Sequence, residues 1–197
     1  PKWIIGYSDV TVLHSHLNRI GVASLHASMP INFSKNTKES LESLRKAIFG
    51  IENIIKAPSN IFNQLGSVKK EIVGGNLSVL YSLLGSESDL DTTEKILFIE
   101  DLDEYLYHID RMMINFQRNG KFKNLKGMII GGMNNMHDND IPFGKTINEI
   151  ILTYIKEYNF PICFGFPSGH LEDNRSLILG VPSLLEVNKN GVSLSQY

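Results

Sequence analysis

The chain has 197 residues, 42% hydrophobic and 20% charged, the balance of a folded globular protein rather than a disordered one. Nineteen Lys and Arg against 21 Asp and Glu leave a formal charge of −2, which excludes a generic nucleic-acid binder driven by phosphate contacts. One cysteine, Cys163, excludes an internal disulfide and a cysteine-rich metal site, and no apolar run reaches the roughly 18 residues that a membrane helix needs.

The chain opens on Pro1 and runs at once into Trp3-Ile4-Ile5, which reads as a buried strand closed by Gly6. That start predicts a chain beginning inside a larger protein. Asp9 reads as a helix cap or first-turn acid, ahead of a helix with Val10, Val12, Leu13 and Leu17 on its apolar face and a stop at Gly21. Residues 22–26 read as a second strand, and this strand–helix–strand order implies parallel pairing. Ser34 or Asn36 can cap a helix over residues 38–49, with Leu41, Leu44, Ile48 and Phe49 facing inward. Residues 56–73, holding Pro58, Gly66 and Lys69-Lys70-Glu71, read as a domain linker or a meandering edge segment.

Gly74-Gly75-Asn76 then opens a second unit, with a helix through Leu77, Leu80, Tyr81 and Leu84. Ile96-Leu97-Phe98-Ile99 is a strand ending in Glu100-Asp101, followed by an amphipathic helix over 105–117 and a strand over 127–131. A helix over 147–158, a strand over 161–164 and two or three short strands around Leu177, Leu185 and Val192 complete the pattern. The fold class is α/β in two parts, residues 1–66 and 67–197. In such sheets function gathers where strands end.

Three strand ends carry chemistry. In Gly6-Tyr7-Ser8-Asp9 a strand enters and a helix leaves, the setting of a nucleophile elbow. The turn would lift the Ser8 hydroxyl toward a helix N-terminus, with the Asp9 amide as an oxyanion donor. Val10 replaces the second small residue of that pattern, and Ser8 or Asp9 as a plain helix cap is the competing reading. Glu100-Asp101 is placed to orient a histidine or to be a solvated loop acid. Gly165-Phe166-Pro167-Ser168-Gly169-His170 is a rigid loop around one imidazole, a general base or an exposed turn. Together they give a Ser…Glu…His order, with Ser8 attacking a carbonyl, His170 taking its proton and Glu100 steadying the imidazolium, in a cleft between the two parts.

Other residues have structural readings. His14 and His16 point different ways on a helix, so a metal pair is disfavoured. His137 reads as part of a solvated turn and Cys163 as a buried thiol. Gly75 and Asn76, before a helix, read as a tight turn or as a backbone-lined substrate contact; the Lys-Ser/Thr of a nucleotide-binding loop is missing.

Four segments resemble the LD-carboxypeptidase family of serine peptidases in order. Residues 1–13 are similar to its nucleophile segment and 73–80 to the opening of its C-terminal domain. Residues 96–101, with Ile109-Asp110-Arg111-Met112, are similar to its catalytic-glutamate strand and next helix. Phe166-Pro167-Ser168-Gly169-His170 is similar to its histidine loop. The resemblance implies a partial Rossmann-like parallel-sheet N-terminal domain plus a smaller α/β C-terminal domain. It implies Ser8 as nucleophile, Glu100 as orienting acid, His170 as base, the Asp9 amide as one oxyanion donor, and substrate contacts at Gly75 and Asn76. It also implies a cytoplasmic homodimer without cofactor, metal, nucleic acid or membrane partner, cleaving terminal D-alanine from a peptidoglycan-derived tetrapeptide.

Two departures stand out. His108 occupies a position where the family usually has Arg, and the strands and glycine-rich loop that precede the nucleophile segment in the family are not in these residues. The resemblance therefore predicts that residues 1–197 alone are inactive. Two alternatives remain at this point: a microcin-immunity type peptidase of the same family, and a non-catalytic domain holding an anionic ligand at the Gly74–Asn76 helix start.

Overall fold

A computed structural model describes residues 2–196. In chain order β1 (Ile5–Gly6) leads through a 3-10 turn (Ser8–Val10) into α1 (Thr11–Arg19) and β2 (Ser24–His26). A second 3-10 turn (Pro30–Asn32) precedes α2 (Lys38–Ile48), β3 (Asn53–Ala57), β4 (Gly66–Asn76) and α3 (Leu77–Ser82). Then come β5 (Ile96–Leu102), α4 (Leu106–Arg118), β6 (Gly127–Asn134), α5 (Ile147–Ile155) and β7 (Ile162–Phe164). Strands β8 (Leu177–Leu179), β9 (Pro182–Asn188) and β10 (Gly191–Gln196) follow.

Two sheets result. The larger has the order β3-β10-β9-β4-β5-β6-β7, parallel from β4 to β7 and antiparallel elsewhere. The smaller is β1-β2-β8, with β1 and β2 parallel. Strand β5 is buried on both faces, so it reads as an unbroken apolar run. Leu97 and Ile99 pack with Ile109, Met112 and Phe116 of α4 and Ile150 and Ile151 of α5. Ile96 and Phe98 pack the other way, with Leu177 and Leu179 of β8. Ile178 of β8 turns outward to Leu44 and Ala47 of α2. The layers are therefore helices, large sheet, small sheet, helix.

The 56–73 linker reading is corrected: 66–76 form a continuous interior strand. Its first half pairs antiparallel with β9 and its second parallel with β5; Ser67 and Lys69 lie on one face and Lys70 on the other of a half-exposed ladder that lacks an apolar signature. Strand β3 precedes residue 66 yet pairs in the large sheet, and β8 follows it yet pairs in the small one. Trp3 and Ile4 are 39% exposed, and the first strand is only Ile5–Gly6.

The first helix buries a different face from the apolar one, and the second shares its buried face between Leu44, Ala47 and two serines. Helix α1 buries Thr11, His14, Ser15 and Asn18 and exposes Val12 and Leu13. Helix α2 is capped by Thr37, not Ser34 or Asn36, and turns Ser40 and Ser43 inward while Ile48 and Phe49 face out. Hydrogen bonding decides this: Ser40 Oγ donates to the Asn174 carbonyl (2.8 Å) and Ser43 Oγ accepts from the Ser176 amide (2.9 Å).

Candidate active site

The turn after β1 is set by its neighbours. Tyr7 is extended and Ser8 then adopts φ +61°, the left-handed region, which costs a non-glycine residue about 1 kcal/mol. Gly6 is needed because Val10 folds over it; a Cβ at Gly6 would lie 2.7 Å from Val10 Cγ2. His14 fixes the same turn from α1. Its Nε2–H donates to the Gly6 carbonyl (2.9 Å), so Nδ1 accepts from Ser24 Oγ (2.9 Å). Burial, with the His26 imidazole nearby, pushes His14 down to about 4, so it is neutral in the folded protein near neutral pH.

Glu100 lies within β5, wholly buried, where the β5–β6 register shifts between Ile99 and Asp101. Its Oε2 accepts from His170 Nδ1 (2.6 Å) and from the His170 amide (3.2 Å). Burial raises its pKa, but hydrogen bonding from His170 and the His26 and His170 imidazoles beside it more than offset that and hold it down at about 2. Asp101 has a different task. Its carboxylate accepts from Asn76 Nδ2, the Ser78 amide and the Leu102 amide, each at 2.9 Å. Burial, reinforced by the Glu100 charge, outweighs those bonds and lifts Asp101 to about 6.

His170 projects from the loop after β7 with its side chain 14% exposed. Gly169, at φ +116°, lets the loop press on the acid: a Cβ there would lie 2.7 Å from Glu100 Cβ and 2.8 Å from Oε2. Asn174 Oδ1 accepts from the Gly169 amide (2.9 Å), and Asn134 donates to the His170 carbonyl. The Tyr7 ring meets the imidazole edge-on at 4.8 Å, which sets the Ser8 turn beside it. Burial lowers the His170 pKa, but the Glu100 bond and charge, with Asp101 and Asp9 behind them, raise it overall. With Nδ1 committed to Glu100, Nε2 is the nitrogen left to take a proton. A surface cavity lined by Tyr7, Asn32, Lys35 and Leu102 opens on this imidazole.

The structure thus draws the ends of β1, β5 and β7 together at the boundary of the two sheets. Asp9 is exposed in the turn after Ser8. Gly75 and Asn76 are buried beneath: a Cβ at Gly75 would lie 2.5 Å from Thr11 Oγ1, which accepts from the Asn76 amide (3.0 Å). Asn76 Oδ1 caps α3, accepting from the Val79 amide (3.1 Å). His108 pairs with Glu104 (2.6 Å) and His137 with Asp103 (2.5 Å), and Cys163 is buried with its thiol pushed up to about 12. Among the described residues no cluster of three or more His, Cys, Asp or Glu is arranged to hold a metal ion, and no helix is long and apolar enough to cross a membrane.

Three side chains of this neighbourhood carried no role in the sequence: Tyr7, His14 and His26. All lie within reach of the first strand–helix–strand unit, and only the polar residues on α1's buried side hinted at a polar interior there.

Comparison with known proteins places the chain in a family. The LD-carboxypeptidase C-terminal domain matches residues 69–185 and the LD-carboxypeptidase N-terminal domain residues 1–27. A Synechocystis relative is 31% identical over 198 residues, covering 99% of this chain and 64% of its own length. The present chain therefore spans less than two thirds of that protein. The crystal structure of muramoyltetrapeptide carboxypeptidase from Oxalobacter formigenes superposes with a TM-score of 0.89 at 25% identity, over 98% of this chain and 68% of that one. Microcin C7 self-immunity protein MccF, in complex with glutamyl sulfamoyl guanosine, shares the fold at a TM-score of 0.83 and 20% identity, over 100% and 68%. With one family's two domain patterns covering the serine turn and the strands and loop that carry Glu100 and His170, this chain belongs to the LD-carboxypeptidase family.

Proposed function

We propose that the protein is a serine LD-carboxypeptidase that releases terminal D-alanine from a peptidoglycan-derived tetrapeptide. The observation that carries this reading is the pair of buried Glu100 and partly buried His170, 2.6 Å apart, beside a serine in a left-handed turn. In the proposed reaction Ser8 Oγ attacks the scissile carbonyl as His170 Nε2 takes its proton. Glu100 holds Nδ1–H and balances the imidazolium. The same proton passes to the departing D-alanine amine, and water then enters by the reverse path to free the shortened peptide. The Asp9 amide serves the oxyanion, and Gly75 and Asn76 shape the floor under the substrate. The enzyme works as a cytoplasmic homodimer in cell-wall recycling, on this reading, and needs no metal.

The test is D-alanine release from the tetrapeptide by the native protein carrying this chain. Ser8→Ala is expected to lower kcat by at least about 10⁴-fold with the fold intact. Release that survives the substitution overturns the proposal.

A further inference from the structure

Glu100 has two oxygens, and the catalytic arrangement uses one. Oε2 takes both His170 donors, whereas among the described residues Oε1 has no hydrogen-bond partner and is wholly buried. His26 Nε2 is likewise buried and unpartnered, and it faces Oε1 at 3.9 Å. That gap is too short for a bridging water, which needs two hydrogen-bond lengths, and closes with a small side-chain movement. The His26 ring is held for the task. Its edge meets Phe98 at 4.9 Å between ring centres, and Nδ1 lies 3.4 Å from Ser168 Oγ, whose hydroxyl donates to the Arg175 carbonyl (2.9 Å) and not to the ring. His26 also pairs in register with Gly6, two residues before Ser8, and the Ala27 amide donates to the Gly6 carbonyl (3.0 Å).

We propose that His26 is a positioning residue of this site: its Nε2–H holds Oε1 and so fixes the plane in which Glu100 presents Oε2 to His170. The proposal rests on the serine-peptidase reading above only for its kinetic arm. The titratable groups facing His26 are Glu100 from β5, His14 from α1 and Tyr7 from the turn, each ring 6.2 Å away, with His170 beyond Glu100.

Two variants and a spectrum test it. His26→Leu removes the donor, and His26→Gln keeps an N–H near the Nε2 position. With Leu, kcat for D-alanine release is expected to fall 10- to 100-fold with KM within about twofold, and the acid limb of the pH profile to move. Gln is expected to recover most of that loss. The low-field proton resonance of His170 Nδ1–H, read without substrate, is expected to shift in the Leu variant and return in Gln. In the unmodified protein the His26 nitrogens, read by ¹⁵N NMR, are expected to show Nε2 protonated. An unprotonated Nε2, an unmoved His170 resonance in His26→Leu, or equal kcat losses in both variants overturns the proposal. Absent turnover in the unmodified protein with these spectral results intact overturns the peptidase reading instead.

Discussion

Two histidines next to the Ser8 turn are held for opposite purposes. His170 is kept readily protonated by Glu100, whereas His14 is kept neutral by burial and by the His26 imidazole nearby, against the bond to the Gly6 carbonyl. That contrast has a consequence for acid stability. The His14 pKa is lowered on folding, so its stabilisation is complete above its unfolded value near 6.5 and is lost as pH falls toward about 4. The contribution is on the order of 3 kcal/mol. Glu100 acts in the same direction further down, losing its contribution from about 4.5 toward about 2. Asp101, lifted to about 6, and His170, also raised, act in the opposite direction over pH 7 to 4.5, so the His14 contribution is read as a difference in chemical unfolding midpoints between two proteins. His14→Gln is expected to be less stable at pH 7 but to lose less over that interval; parallel pH curves for the two proteins contradict the assignment.

At the scale of elements, glycine governs how closely the histidine loop meets β5. Gly169→Ala puts a methyl group into Glu100 at a φ that alanine resists, so the loop must withdraw. The variant is expected to keep its far-UV circular dichroism while kcat falls about 100-fold or more, since small misplacements of a catalytic group carry penalties of that order. Unchanged kcat shows that the contact is not required. This loop was legible in the sequence, because its strand, its glycines and its histidine are contiguous. The leading helix was not. Periodicity assigned Val12 and Leu13 to the core, but Thr11, His14 and Ser15 are the buried residues, each with a hydrogen-bond partner on another segment. Strand β4 escaped for a related reason: its first half carries polar residues on both faces, and its apolar stretch is only Ile72-Val73 before two glycines and an asparagine.

Across the whole molecule, what could not be read locally is how the two sheets join. Residues 53–57 and 177–179 each pair with strands far away in sequence, so no break in composition marks the exchange. One joint is Gln196 at the end of β10. Its Oε1 accepts from the Ile178 amide (3.0 Å), and its Nε2 donates to the Ile178 carbonyl and Ser183 Oγ (2.8 Å each). Gln196→Ala strands buried backbone groups of β8 and is expected to destabilise the protein by about 2–4 kcal/mol, read as a lowered urea midpoint. A shift below about 0.5 kcal/mol shows that the sheets hold without this link. The Ser…Glu…His order was visible because each member lies at or near the end of its own strand. That the strands come from two sheets, and that His26 stands behind the acid, emerges only from the packing.

The central claim is that Ser8 is activated by the Glu100–His170 pair. The most direct measurement is the rate at which a fluorophosphonate modifies the native protein as a function of pH, with the modified residue located by mass spectrometry. The account predicts one adduct per chain on Ser8, with a rate rising through a midpoint above 6.5 because His170 is raised. It predicts a lower midpoint and a slower rate in Glu100→Gln, where the Glu100 charge no longer opposes burial of the imidazole. Modification at another residue, or a Ser8 rate and midpoint indifferent to Glu100→Gln, contradicts it.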